Sequence, residues 1–326
     1  MQLTKRALLA ATCAIAATTV PTAGAFAQAA AWPTKPVRIL VGFPPGSTPD
    51  MAARAIADPL AKVLGQPVIV ENKPGASGNI ATAQVAKAND NHTLGVVING
   101  NLTSAKMLYP DLPYDPAKDF SYISLLATAP LVLVAPADAP TGPAFFAAAR
   151  QGGARWNYGS VGVGSVGHLG MEMLKSKVPG VQAMHIPYQG NPGVVTALLS
   201  NQINMALVPP GLAVAQVSAG KLKAIGLTSG RSALAPNIAP LSEAGLKDFN
   251  LEVWTALIGP ATLSKDAQAR LATAVGEVMK NADVRRQMFN QGWQAVGTSA
   301  DGLKARVADE SAIMKSIITK NNIKLQ

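Results

Sequence analysis

The stretch from Lys35 to Asp50 runs an apolar strand straight into a rigid turn and then into a helix. Val37, Ile39 and Val41 alternate with Arg38, Leu40 and Gly42 at strand spacing, Pro44 and Pro45 stiffen the turn, and Gly46 lets the backbone bend. Asp50 is placed to cap a helix starting at Met51. Unpaired backbone N–H groups at such a helix start attract a carboxylate or phosphate without a lysine or arginine. The arrangement therefore points to a small anionic ligand.

The rest of the chain repeats the same grammar. Apolar runs at Val37–Val41, Val68–Val70, Leu94–Val97 and Ile123–Val134 alternate with helical stretches at Met51–Leu64 and Asn79–Ala88. A second series follows, with strands at Trp156–Tyr158, Gln182–Ile186, Ile203–Val208 and Lys223–Leu227. Its helices are expected at Pro143–Arg150, His168–Lys177, Val194–Leu199 and Leu212–Ala219, and the pattern from Lys265 onward is helical. Alternation of this kind argues for an α/β protein whose two sheets are mainly parallel and flanked by helices. Ile123–Val134 and Leu251–Gly259 are the runs able to pass between the two sheets, which gives a clamshell with two crossovers. A mature chain of about 300 residues exceeds what one core usually holds. The expected division is residues 31–130 with 253–326 as one domain and 131–252 as the other.

Residues 1–27 read as a secretory signal peptide. Lys5 and Arg6 precede an apolar stretch from Ala7 to Val20, and Ala25-Phe26-Ala27 offers a cleavage site. The stretch is shorter than a membrane span of about 20 residues. Export to the periplasm, with cleavage near Ala27, is the consequence. Cys13, the only cysteine, lies inside this segment, so the mature chain has no disulfide, thiolate metal site or cysteine nucleophile. The formal charge of +10 becomes +8 once Lys5 and Arg6 leave, yet the remaining basic residues are dispersed and lack aromatic interleaving. That is a solvated basic surface and no nucleic-acid footprint.

A second glycine-rich turn follows Trp156–Tyr158, running from Gly159 to Gly167 with a helix from His168. Gly162, Gly164 and Gly167 match the spacing G-x-G-x-x-G of a dinucleotide fingerprint. The strand that follows ends in Pro187-Tyr188 and lacks the acidic residue that would hold a ribose hydroxyl, which disfavours an exported dinucleotide-binding enzyme. The glycines expose amides at a helix start, which suits any small anion. Neither Ser160 nor Ser165 satisfies G-x-S-x-G. Of the three histidines, none lies in a metal-spaced pair. His92 reads as solvated in a polar turn, His185 as a half-buried strand residue, and His168 as a helix-start residue capping the turn or lining the cleft. Catalytic residues, metal and cofactor are all read as none.

Several blocks then carry a family resemblance. Trp32-Pro with Lys35-Pro-Val-Arg-Ile, Phe43-Pro-Pro-Gly46 with Asp50 and Ala53-Arg54, and Gly65-Gln-Pro-Val-Ile-Val-Glu-Asn-Lys-Pro-Gly75-Ala-Ser-Gly78 come first. Leu112-Pro-Tyr114-Asp-Pro, Tyr158-Gly-Ser160 with His168-Leu169, and His185-Ile-Pro-Tyr188-Gln-Gly190 follow in the same order. Together they resemble the extracytoplasmic solute receptors of tripartite tricarboxylate transporters over essentially the whole mature chain. The resemblance implies a periplasmic Venus-flytrap binding protein, without catalysis, that delivers a carboxylate to membrane transporter subunits. It also implies a ligand held through backbone amides and water at the two marked turns. The chain departs from the usual pattern at Ser47, where the family commonly has glycine, and at Gln189, where lysine is common. Asn204 and Val208-Pro209-Pro210 also differ. Ser47 adds a hydroxyl with two uses open to it, ligand contact or turn cap.

The expected site joins Phe43, Pro44, Gly46, Ser47, Thr48, Asn99 and Asn101 of the first domain to Ser160, Gly162, Gly164, Ser165, His168, Tyr188 and Gln189 of the second. Asp50 is expected beside it as a helix cap, and Asn99–Asn101 as a strand end. The expected protein is a monomer that traps an anion between two helix N-termini. A ligand sensor docking on a signalling partner is the rival reading, since the same cleft serves either.

Overall fold

The computed structural model describes residues 32–324. The expected signal peptide and Cys13 lie outside that range. Two mixed sheets carry the fold. The six-stranded sheet has the order β11-β4-β10-β3-β1-β2, with β1 (Val37–Val41), β2 (Val68–Asn72), β3 (Thr93–Ile98), β4 (Phe120–Pro130), β10 (Glu252–Pro260) and β11 (Gln294–Ala295). The five-stranded sheet has the order β7-β6-β8-β5-β9, with β5 (Val132–Pro136), β6 (Asn157–Ser160), β7 (Met184–Pro187), β8 (Met205–Val208) and β9 (Leu222–Leu227).

The strands read as crossover units do pair in parallel: β1 with β2 and β3, and β6 with β7 and β8. The sheets are nevertheless mixed and not mainly parallel, because the strands passing between the halves enter antiparallel. β10 runs against β3 and β4, and β5 runs against β8 and β9. The long run Ile123–Val134 is two strands, β4 and β5, separated by Leu131, so one apolar stretch serves both sheets. Thr228 ties the junction, taking the Leu131 N–H at 2.8 Å and donating its hydroxyl to the Leu251 carbonyl at 2.6 Å. One pin thus holds both crossing segments.

Helices cover both sheets. α1 (Thr48–Leu64) starts ahead of the expected Met51 and ends at Gly65, whose φ of 76° lies in the left-handed region that glycine tolerates. α2 (Asn79–Ala86) follows β2, and two short helices, α3 (Asn99–Leu102) and α4 (Ala105–Leu108), follow β3. Asn99–Asn101 is therefore the start of a helix and not a strand end. α5 (Pro143–Gly152), α6 (Val166–Lys177), α7 (Asn191–Leu199) and α8 (Pro210–Ser218) cover the second sheet. α9 (Lys265–Lys280), α10 (Ala282–Asn290) and α11 (Ala300–Lys320) complete the chain. In α9 the apolar face of Leu271, Val275 and Val278 is buried, as its spacing requires. No helix among the described residues is long and apolar enough to cross a membrane.

Candidate functional site

The two strand–turn–helix units read from the sequence face each other. Between them lies a cavity of ≈ 30 Å³ whose wall includes Phe43, Ser47, Thr48, Ile98 and Val253 from the six-stranded half. Val161, Ser165, Val166, Gly167, Asn191, Leu207 and Pro209 line it from the other, with Leu131 and Pro49 closing it. Among the described residues, no Asp, Glu, Lys, Arg or His lines it. The volume holds about two waters, so a solute enters only as the walls move apart.

What the wall offers is helix starts. The first-turn amides of Thr48 in α1, Val166 and Gly167 in α6, and Asn191 in α7 have no carbonyl four residues earlier within their helices. Three macrodipoles thus bring their positive ends to one small space. Pro49 and Pro192, at second helical positions, contribute no N–H. Apart from the hydroxyl side chains of Ser47 and Ser165, the remaining wall is aliphatic or aromatic.

Phe43, Ser47, Thr48 and Ser165 of the expected site line this cavity. Pro44 stands at the seam, within 3.1 Å of the point where a Cβ on Gly190 would lie. Gly46 is exposed. Asp50 is not the helix cap: Ser47 occupies that position, and Asp50 lies inside the first turn and reaches back to the Gly46 N–H at 2.9 Å. The Asp50 carboxylate is held there by Arg54 Nε at 3.0 Å and Asn72 Nδ2 at 2.8 Å.

Asn99 and Asn101 are buried away from the cavity. Asn99 Nδ2 donates to Glu310 at 2.6 Å, and burial raises the Glu310 carboxyl above its ordinary range although Trp254 and Asn99 donate to it. Asn101 Nδ2 donates to the Ser77 carbonyl and to Asn79 Oδ1. Tyr188 is half-buried against the core of the five-stranded half, and Gln189 is exposed.

The second turn is stitched from within. Gly162 N–H donates to Ser160 Oγ at 3.1 Å, Gly164 N–H to His168 Nδ1 at 3.2 Å, and His168 N–H to Ser165 Oγ at 3.2 Å. Its glycines sit at φ 122° (Gly162) and 82° (Gly164). From the facing half, Ser104 donates to the Gly164 carbonyl at 2.6 Å and Tyr109 to the Val163 carbonyl at 3.1 Å. A Cβ on Gly100 would come within 2.9 Å of that same Gly164 oxygen. The halves touch here backbone to backbone.

His168 lies behind the turn and lines a separate crevice of ≈ 400 Å³ with Glu172, Lys175, His185 and Asn321–Lys324. The His168 and His185 rings lie 4.2 Å apart. Burial holds His168 down at about 4, with the Lys175 charge adding to it. Burial and then the neighbouring His168 hold His185 at about 3. Both are neutral at physiological pH, as the acceptor role of His168 Nδ1 requires. His185 Nε2 lies 2.7 Å from Ser160 Oγ. This serine–histidine contact is partly buried, its hydroxyl is also bonded to the Gly162 carbonyl, and no carboxylate bonds either ring among the described residues. His92, read as solvated, is buried instead, taking the Thr34 N–H at 3.1 Å and contacting the Asp90 carbonyl at 2.9 Å. Trp32 covers it, a contact between residues far apart in the chain that the local polar turn does not disclose. Among the described residues no group of three His, Cys, Asp or Glu could hold a metal.

A two-lobed α/β body with helix starts converging between its lobes defines a solute-binding protein. Residues 52–323 match the tripartite tricarboxylate transporter family receptor, and the chain belongs to that family. It is 32% identical to a UPF0065 protein of Bordetella pertussis, over 88% of this chain and 90% of that one. Among solved structures it is similar to MatC from Rhodopseudomonas palustris with bound malate, with a TM-score of 0.83, 29% identity and coverage of 88% of this chain and 100% of that one. It is also similar to the periplasmic binding protein BugD, with a TM-score of 0.84, 26% identity and coverage of 90% and 100%.

Proposed function

We propose that this protein is a periplasmic receptor that captures a small carboxylate-bearing solute between helix N-termini and delivers it to the membrane subunits of a tripartite transporter. The observation that carries this reading is the meeting of the α1, α6 and α7 starts around a cavity with no charged side chain. Each helix start contributes roughly 0.3–2 kcal/mol toward a negative charge once water is excluded. Membership in the receptor family and the malate bound in the MatC structure support the same ligand class. The reading includes cleavage near Ala27, a monomer, and lobes of residues 31–130 with 253–326 and of residues 131–252. The receptor itself performs no chemistry on its cargo.

The test is to unfold the mature protein, remove any co-purified ligand, refold it, and follow thermal unfolding against mono-, di- and tricarboxylates, aromatic acids, amino acids and NAD. A ligand at about a hundred times its dissociation constant adds roughly 2.7 kcal/mol and moves the midpoint by several degrees. The expected result is a shift with one class of carboxylate. A shift with NAD alone, or with no member of the panel, overturns the reading.

A further inference from the structure

Ser47 stands at the cap position of α1 with φ −74° and ψ 162°, a backbone conformation in which a serine normally accepts from the second or third helical amide. It does not do so here. The second helical residue is Pro49, which has no N–H, and the turn is held instead by the Asp50 carboxylate on the Gly46 N–H. Among the described residues the Ser47 hydroxyl has no hydrogen-bond partner, although the residue is only 1% exposed and lines the cavity.

The other hydroxyls of the wall are engaged. Thr48 Oγ1 takes the Asn191 Nδ2 at 3.2 Å, and Ser165 Oγ takes the His168 N–H at 3.2 Å. A buried hydroxyl without a partner is costly, and a site built around one favours the ligand that supplies the missing oxygen or donor. Ser47 is adjacent in sequence to Thr48, whose helix-start amide suits a carboxylate, and consecutive Cα atoms lie about 3.8 Å apart. A group bonded to the hydroxyl is therefore carried close to the carboxylate.

Resting on the carboxylate reading above, we infer that Ser47 is the specificity-determining residue of this cavity and recognises a hydroxyl or oxo oxygen on the α- or β-carbon of the solute. The preferred cargo is a small hydroxy- or oxo-carboxylate over its unsubstituted parent. Ser47 resolves here as a ligand contact and not a turn cap.

The experiment is titration calorimetry on the refolded protein with two matched pairs, malate against succinate and lactate against propionate, in wild type, Ser47→Ala and Ser47→Gly. Wild type is expected to prefer the hydroxy acid of at least one pair by about tenfold or more. In both variants that ratio falls toward one while the parent acid binds as well as before or better, and the unliganded thermal midpoint does not drop. A ratio that survives in both variants overturns the assignment of Ser47 while leaving the carboxylate site intact. So does a parallel weakening of both acids, which is what a turn-shaping role produces. If wild type binds neither pair and no other carboxylate, the receptor reading falls and this inference falls with it.

Discussion

The turns after β1 and β6 follow one plan and are stiffened by opposite means. The first is built by its own neighbourhood: Pro44 and Pro45 restrict the backbone, and Asp50, Arg54 and Asn72 of the same half hold Gly46 and the Phe43 carbonyl. The second contains no proline and depends on side chains from two places. His168, Ser160 and Ser165 hold its amides, while Ser104 and Tyr109 reach across from the other half to hold its carbonyls. A turn of the first kind is ready whether or not the halves meet. A turn of the second kind is completed by their meeting, which couples the order of the Val166 and Gly167 amides to closure.

The sharpest way to break this contrast is to place a side chain on each turn. Gly164→Leu should weaken binding of the cognate carboxylate by more than about a hundredfold in calorimetry, with far-UV circular dichroism unchanged. Its φ of 82° strains any side chain, and a Cβ there lies 3.1 Å from Leu108 and 3.3 Å from Ser104. Gly46→Ala, with nothing within 4 Å of the added carbon, should cost only about 1–2 kcal/mol of backbone strain and leave affinity near wild type. Equal losses at the two positions would erase the distinction.

Acid should act on the second turn next. An unfolded chain's imidazoles bind protons below about 6.5, whereas the folded protein keeps His168 neutral down to about 4 and His185 to about 3. Between these values the unfolded state binds more protons, so stability is full above about pH 6.5 and falls as pH drops toward 4. The loss should be on the order of 5 kcal/mol by urea unfolding, since each of the two rings contributes up to about 1.4 kcal/mol per pH unit. A His168→Gln, His185→Gln variant should flatten that slope, and an unchanged slope would remove the histidines from the account.

Much of this geometry was legible locally. Proline, glycine and apolar alternation marked both turns because each rule operates within a few residues, and the buried face of α9 followed from the spacing of Leu271, Val275 and Val278. Antiparallel entry of β5 and β10 was not legible, since it depends on where the crossing strands come to rest. Nor was the use of Asn99, whose partner Glu310 lies 211 residues away. Six of the fourteen wall residues, Ile98, Leu131, Asn191, Leu207, Pro209 and Val253, lie outside both marked turns.

Two smaller effects refine the comparison. Ser104→Ala leaves the buried Gly164 carbonyl without its hydroxyl donor and should cost about 1–2 kcal/mol of binding, seen mainly as faster dissociation in stopped-flow measurements. Arg54→Ala removes a half-exposed partner of Asp50 and should lower stability by no more than about 1 kcal/mol, with affinity unchanged. A larger affinity loss at Arg54 than at Ser104 would reverse the assignment of fixed and closure-dependent turns.

The absence of charged side chains from the cavity wall also bears on how cargo is surrendered. A solute gripped by amide dipoles at contact distance is poorly reached by dissolved ions, so its retention should vary little with the salinity outside. Release then breaks no ion pair. Once the lobes part, returning water takes over each amide in turn, and the receptor's hold dissolves without a proton or counterion having to move.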